Sequence, residues 1–155
     1  MATNLQVGEK APAFSGIDQD GKRVSLADFK GQKVVLYFYP EDDTPTCTVQ
    51  ACNLRDNYSS LIKKGFKVIG VSPNDEKSHK QFREKFNLPF TLLADPGHKI
   101  IKKYGVWGEK NLYGRKYMGL HRTTFVIDEK GSIQKIFLKP KNKAHAEEIM
   151  KTTQA

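Results

Sequence analysis

Three short runs of apolar residues, separated by segments of helical pattern, constrain the fold of this chain most. They are Val34 to Tyr39, Phe66 to Val71 and Thr123 to Ile127. Runs of this length, rich in β-branched and aromatic side chains, are typical of strands buried on both faces. A fourth strand, Ile133 to Leu138, follows the turn sequence Asp-Glu-Lys-Gly at 128–131. It is predicted to form a hairpin with the strand before it.

Helical patterns lie between and after these strands, at about Pro45 to Lys64, Glu76 to Phe86, Gly97 to Tyr104 and Lys143 to Thr152. Strands that alternate with helices and end in a hairpin predict a mixed central sheet flanked by helices on both faces. A short hairpin around residues 18–21 is expected as an N-terminal extension. The sequence therefore predicts an α/β protein with a thioredoxin-like fold.

No repeat, low-complexity stretch or linker divides the chain, and 155 residues suit one domain spanning 1–155.

The stretch Gly105 to His121 has no clear period and is interpreted as an ordered loop. Trp107, Tyr113 and Tyr117 within it are predicted to pack the loop onto the core, which is the usual role of scattered aromatic side chains.

Charge and hydropathy limit the classes of function. The formal charge of +9 is uneven, because residues 1–56 hold 6 Lys and Arg against 8 Asp and Glu, whereas 57–155 hold 20 against 9. A solvated basic face is favoured over a nucleic-acid site, since the lysines are scattered through amphipathic segments. No apolar stretch approaches the roughly 18 residues of a membrane span. The first ten residues lack the pattern of a signal peptide, so we expect a cytoplasmic protein without membrane contact.

The clearest chemical pattern follows the first apolar run. Pro40 ends that strand, and Thr44-Pro45 is a helix start, with Thr44 as N-cap and Pro45 at the first helical position. Cys47 then falls in the first helical turn, where free backbone N–H groups and the positive end of the helix dipole stabilise a thiolate. A pair of cysteines in a reducing compartment is more often catalytic than structural, so Cys47 and Cys52 are candidate reactive thiols.

Pro40, Thr44 and Cys47 reproduce the Pro-x3-Thr-x2-Cys signature of the peroxiredoxins. Over nearly its whole length the chain resembles their bacterioferritin-comigratory-protein class, also called the Q class. Further matching stretches are Val7-Gly8, Ala11 to Phe14, Tyr104 to Lys110 and His121 to Asp128. The resemblance implies a thiol peroxidase that reduces hydrogen peroxide and organic hydroperoxides. It also implies recycling by thioredoxin or a similar dithiol and favours a monomer. No cofactor is expected.

The resemblance assigns five residues to the site. It makes Cys47 the peroxidatic cysteine and Cys52 the resolving cysteine, which would form an intramolecular disulfide through a sulfenic acid. Thr44 and Arg122 complete the peroxide site, and Pro40 shields the thiolate. A guanidinium that stays charged and a hydroxyl suit a reaction in which negative charge builds on a peroxide oxygen.

The spacing of the two cysteines adds a mechanical prediction. On a continuous α-helix, Cα atoms five residues apart are separated by about 8.7 Å. A disulfide bridges Cα atoms within about 7 Å, so the first turns of the helix must unwind before Cys52 reaches an oxidised Cys47.

Residues beside the thiol modify this picture. Glu41, Asp42 and Asp43 are predicted to oppose the thiolate by like-charge proximity, so its stability depends on Arg122 and the helix end outweighing them. The chain also departs from the class pattern at two positions, Thr46, where glycine is usual, and Gln50, where an acidic residue is usual. The branched side chain of Thr46 bears on rate and peroxide size more than on the type of reaction.

Three alternatives remain open. A general thiol-disulfide oxidoreductase usually carries Cys-x-x-Cys, whereas four residues intervene here. A metal site is weaker still, because the chain has one Cys-x4-Cys pair and its histidines show no ligand spacing. These histidines, which are interpreted as surface residues, are His79, His98, His121 and His145. A nucleic-acid-binding module, the alternative of a different class, would show binding that falls steeply with salt.

Overall fold

The structure, a computed structural model, describes residues 3–153. The strands are β1 (Ser15–Asp18), β2 (Arg23–Ser25), β3 (Lys33–Phe38), β4 (Phe66–Ser72), β5 (Thr91–Ala94), β6 (Trp107–Leu112), β7 (Arg115–Leu120), β8 (Thr123–Ile127) and β9 (Ile133–Phe137). The α-helices are α1 (Pro45–Asp56), α2 (Tyr58–Lys63), α3 (Glu76–Phe86), α4 (Lys99–Lys103) and α5 (His145–Met150). Short 3-10 helices cover Leu26–Phe29 and Lys151–Thr153.

Seven strands form one sheet in the order β2-β1-β5-β4-β3-β8-β9. The three strands β3, β4 and β5 run parallel, and the outer strands pair antiparallel. The predicted α/β fold with a mixed sheet and an N-terminal hairpin is confirmed. Within residues 3–153, no helix is long and apolar enough to cross a membrane.

Strand β3 divides the core because its side chains alternate between the two faces of the sheet. Val34, Leu36 and Phe38 enter a cluster with α4 and the N-terminal segment. Their neighbours on the opposite face, Val35 and Tyr37, join a second cluster that contains residues of α1, α2, α3 and α5. The second cluster also holds Cys47, so the reactive helix is packed on the fully buried centre of the sheet.

Local patterns placed the buried strands to within a residue or two, but they missed strand β5 and the break between α1 and α2. Strand β5 is only four residues long, too short to show a period. The single helix predicted from Pro45 to Lys64 is two helices, because the chain breaks at Asn57. The side-chain amide of Asn57 donates to the backbone carbonyl of Asn53 at 2.9 Å, which competes with regular helical bonding.

The prediction of a loop from Gly105 to His121 is wrong, because β6 and β7 form an antiparallel hairpin there. Its turn uses Tyr113 and Gly114, both with positive φ, in place of the usual Asn-Gly. Residues 111–118 are exposed on both faces, so the strands carry no alternation of apolar and polar residues. Trp107 does pack on the core, but Tyr113 is fully exposed and Tyr117 is 45% exposed, contrary to the prediction.

The interpretation of all four histidines as surface residues is also wrong. His79 and His145 are fully buried, whereas His98 and His121 are half-buried. Burial is possible because both ring nitrogens of His79 and of His145 have hydrogen-bond partners. No local sequence pattern identifies such a histidine, since at least one partner of each ring comes from another element.

Candidate active site

The site forms where β3 ends and α1 begins. The chain leaves the sheet after Phe38, and Pro40 lies half-buried at the start of the connecting loop. Thr44 takes an extended conformation at the N-cap position, and Pro45 opens the helix as predicted. Cys47 is therefore the third residue of α1, buried at 1% exposure against the sheet. This placement puts its sulfur at the positive end of the helix.

Thr44 differs from the prediction in one detail. Its hydroxyl donates to the backbone carbonyl of Glu41 at 3.1 Å and does not cap the helix. This bond closes the loop on itself, because it joins the residue before the helix to the residue after Pro40. The two lone pairs of the Thr44 oxygen remain able to accept a hydrogen bond from a substrate.

Arg122 reaches Cys47 from the start of β8, the strand next to β3. It lies between β7 and β8, and β8 pairs antiparallel to β3 with Thr123 opposite Phe38. This register brings Arg122 to the loop that follows β3, although Arg122 and Cys47 are 75 positions apart in sequence. Its Nη2 donates to the Sγ of Cys47 at 3.1 Å. A guanidinium in this position stabilises the thiolate form of the cysteine.

Gln50 completes the contact between α1 and the arginine. It lies one turn after Cys47, is fully buried, and accepts a hydrogen bond from Nη1 of Arg122 at 2.5 Å. Because the amide is neutral, it orients the guanidinium without neutralising it. An acidic residue at this position, as is usual in the class, would share the positive charge of Arg122 with the sulfur. Gln50 is thus a site residue that the sequence had marked only as a departure.

Cys52 is half-buried, and both cysteines are free thiols. Both lie on the uninterrupted helix α1, which is the premise of the unwinding prediction. The C-terminal half of α1 is fastened to the start of α5 by Asn53. Its Oδ1 accepts from the backbone N–H of Ala146 at 2.7 Å, and its Nδ2 donates to the carbonyl of Lys143 at 3.0 Å.

The three carboxylates before the helix differ in their surroundings. Glu41 is exposed, so water screens its charge. Asp43 is exposed and forms an ion pair with Lys85 at 2.7 Å. Asp42 is buried and contacts His79, with its Oδ2 2.7 Å from Nδ1 of the ring. The three carboxylates therefore differ in burial and in partners, and their opposition to the thiolate stays a prediction.

A second buried histidine lies near Arg122. His145, at the start of α5, contacts the hydroxyl of Thr124 at 2.8 Å and a carboxylate oxygen of Glu148 at 2.6 Å. Burial lowers the pKa of His145, and the hydrogen bond to Glu148 acts in the opposite direction. Burial thereby favours the neutral form of the His145 imidazole beside β8, the strand that follows Arg122.

A cleft of about 580 Å³ lies on the exposed side of the first turn of α1. Pro45, Thr46 and Val49 form one wall, and residues 141–144 form the other. Its lining is mostly apolar, and Lys141 and Lys143 lie on its wall. Thr46, where the class usually has glycine, thus narrows a cleft that opens next to the reactive turn.

Known proteins are similar to this chain in both fold and sequence. The sequence profile of the AhpC/TSA family matches residues 7–136. Peroxiredoxin Bcp of Escherichia coli K12 is 47% identical over 146 residues, which are 94% of each chain.

Two solved structures of related proteins have the same fold as this chain. The bacterioferritin comigratory protein of Xanthomonas campestris, described by its alkyl peroxide reduction activity, superposes with a TM-score of 0.86 at 29% identity and covers 94% of this chain and 95% of that one. A cysteine-to-serine mutant of PrxQ from Xylella fastidiosa gives a TM-score of 0.91 at 26% identity, over 97% of this chain and 96% of that one.

The fold, the buried thiol and these matches together define the class: the chain belongs to the AhpC/TSA family and is a peroxiredoxin. Within that family it groups with the bacterioferritin comigratory proteins, or PrxQ class. Its enzymatic activity is accordingly that of a thiol peroxidase, which uses a peroxide as substrate and a thiol as reductant.

Proposed function

We propose that Cys47 is the peroxidatic cysteine, that Cys52 resolves it, and that thioredoxin or a similar dithiol recycles the enzyme. The observation that carries the proposal is the 3.1 Å contact between Nη2 of Arg122 and the Cys47 sulfur at the start of α1. Arginine offers several donors, so one guanidinium can contact the sulfur and a peroxide oxygen together. The substrates are hydrogen peroxide and organic hydroperoxides.

The first step is an attack of the Cys47 thiolate on one peroxide oxygen. An S–O bond forms, the O–O bond breaks, and the leaving oxygen takes a proton to become water or an alcohol. Cys47 is thereby oxidised by two electrons to a sulfenic acid. The Thr44 hydroxyl accepts a hydrogen bond from the peroxide and orients it, while Arg122 and the backbone N–H groups of the first turn stabilise the leaving oxygen. Pro40 limits the access of water to the sulfur.

The second step forms a disulfide. The Cys52 thiol attacks the sulfenic sulfur of Cys47, and the hydroxyl leaves as water. An external dithiol then reduces the disulfide, which restores both thiols and oxidises the dithiol. The step requires unwinding, because α1 holds the cysteines apart. The Asn53 contacts to Ala146 of α5 and to Lys143 just before it favour unwinding of the N-terminal half of α1.

The unwinding can be measured by amide hydrogen exchange. In the reduced protein, residues 48–52 are expected to be protected by helical hydrogen bonds. In the disulfide form we expect their protection to fall at least tenfold, while α5 stays protected. Equal protection of residues 45–55 in both forms would contradict the proposal.

The peroxidase cycle is tested by NADPH-coupled peroxide consumption with thioredoxin and thioredoxin reductase. The wild type is expected to turn over, and Cys47→Ser to lose all activity. Cys52→Ser should still consume about one equivalent of peroxide but lose thioredoxin-linked turnover. Full turnover by Cys52→Ser would exclude its resolving role, and activity of Cys47→Ser would exclude Cys47 as the reacting thiol.

A further inference from the structure

A buried polar cluster lies directly under the loop that precedes Cys47. At its centre is Asp42, which the sequence alone had marked as a charge that opposes the thiolate. Its Oδ1 accepts from the hydroxyl of Tyr39 at 2.5 Å, and its Oδ2 accepts from the hydroxyl of Ser78 at 2.8 Å. Its backbone N–H donates to the side-chain oxygen of Asn74 at 2.9 Å. The loop is therefore tied to the residue that follows β3, to α3 and to the connection between β4 and α3.

His79 makes the remaining contact of Asp42, and its surroundings determine how many protons the pair holds. Its Nε2 is 2.9 Å from the backbone carbonyl of Leu93, which can only accept, so Nε2 carries a proton. Its Nδ1 is 2.7 Å from Oδ2 of Asp42, so a further proton must lie between these two atoms. The pair is then either an imidazolium with a carboxylate or a neutral ring with a carboxylic acid. Both forms have no net charge.

The partners that face this pair do not change its charge. They are the hydroxyl of Tyr39, which follows β3, the hydroxyl of Ser78 from α3, the side chain of Asn74, and the carbonyl of Leu93 from β5. None of these groups is ionised near neutral pH, because burial raises the pKa of Tyr39 well above its ordinary value. None of the described residues that contact the pair therefore adds a charge, and the protonation of Asp42 and His79 alone determines the charge of the cluster.

We propose that His79 is a positioning residue of the peroxide site, which neutralises Asp42 and holds the loop of residues 40–44 on α3 and β5. A buried carboxylate without this partner would repel the thiolate that Arg122 and the helix end stabilise. His79 touches neither the sulfur nor the peroxide, and it acts through Asp42. The inference rests on the proposed role of Cys47 as the reacting thiol.

Three variants distinguish neutralisation of the Asp42 charge by His79 from simple structural support of the loop. His79→Asn keeps an amide donor near the position of Nδ1 but brings no extra proton, so Asp42 would remain charged. Asp42→Asn removes the carboxylate, and the pair is neutral before and after the change. The double variant Asp42→Asn/His79→Asn is also neutral. Lys85→Gln is the matched surface control, because it unpairs the exposed Asp43.

The readout is the pH midpoint for alkylation of the Cys47 thiol by iodoacetamide, measured in a Cys52→Ser background. This midpoint does not depend on peroxide turnover. His79→Asn is expected to raise it by about one pH unit, the effect of a unit charge about 10 Å away at an effective dielectric constant of about 20. Asp42→Asn, the double variant and Lys85→Gln are expected to change it by at most about 0.3 unit.

An unchanged midpoint in His79→Asn, or an equal rise in the double variant, would overturn the neutralising role. If His79→Asn does not fold, which thermal unfolding would reveal, Asp42→Asn decides alone, because a clear fall of its midpoint would mean that Asp42 had been charged and unneutralised. The failure of the proposed function is distinguishable: Cys47→Ser would then retain peroxidase activity, whatever the alkylation midpoints of the other variants.

Discussion

Replacement of Gln50 by glutamate tests how the positive charge of Arg122 is shared between its two neighbours. In the wild type, Nη1 of Arg122 donates to the neutral Gln50 oxygen at 2.5 Å, and Nη2 donates to the Cys47 sulfur at 3.1 Å. Gln50→Glu adds a negative charge at nearly the same position and with the same shape. The carboxylate would compete with the thiolate for the guanidinium, so the thiolate is expected to be less stable.

The magnitude follows from the geometry. The two guanidinium nitrogens are neighbours, so the new carboxylate would lie about 6 Å from the sulfur. Two unit charges at that distance repel by about 3 kcal/mol at an effective dielectric constant of about 20, which corresponds to about two pH units. Arg122 is only half-buried, so solvent screening reduces the effect, and we expect the midpoint of Cys47 alkylation to rise by about one unit.

The assay is the rate of Cys47 alkylation against pH in a Cys52→Ser background, together with the second-order rate constant for hydrogen peroxide. Gln50→Met is the matched control, because it keeps the side-chain volume and removes the acceptor without adding charge. Its midpoint is expected to change by less than about 0.5 unit. A midpoint in Gln50→Glu that equals or falls below the wild-type value would refute the view that Arg122 stabilises the thiolate electrostatically.

Three further predictions concern the cleft, a buried histidine and the packing of the sheet. Thr46→Gly should widen the cleft beside the reactive turn and raise kcat/KM for cumene hydroperoxide several-fold relative to hydrogen peroxide; an unchanged ratio would show that the cleft does not take part in substrate access. Because burial lowers the pKa of His145, the unfolded state binds a proton that the folded state excludes as pH falls below about 6.5, so the free energy of unfolding should decrease towards pH 5. His145→Gln should make that decrease smaller, by up to about 1.4 kcal/mol per pH unit. Urea titrations at several pH values measure the free energy of unfolding, and the same dependence on pH in the variant and the wild type would contradict the reasoning. Gly70→Ala should destabilise the fold by about 1–3 kcal/mol, since a Cβ there would lie 2.9 Å from both Tyr37 and Leu92. Gly97→Ala, which meets nothing within 4 Å, should change the melting temperature little and is the control.

The core strands were predictable because burial on both faces leaves a local signature, as in β3 and β8. The hairpin of β6 and β7 left none, since both its faces are exposed and its turn uses Tyr113 and Gly114. Its strands pair with each other, and because residues 111–118 are exposed on both faces, their sequence shows no pattern of apolar and polar residues. The short strand β5 escaped for a related reason, because four residues between two turns do not establish a period.

The site divides in the same way. Pro40, Thr44 and Cys47 lie within eight residues, so their motif and the helix start could be identified from sequence. The resemblance supplied Arg122 as a candidate and the resolving role of Cys52. The contacts that decide the local charge were not predictable. Gln50 was known only as a departure from a pattern, and Asp42 was expected to oppose the thiolate.

By itself, the sequence determined the α/β class, the helix start at Pro45 and the position of a reactive thiol in the first helical turn, because these depend on residues close together in the chain. Only the tertiary structure decided which charges act on that thiol. The register of β8 against β3 brings Arg122 to Cys47, and the packing of α3 on the sheet brings His79 to Asp42. Electrostatic effects depend on distance in space and on burial, and neither quantity is encoded in a short stretch of sequence.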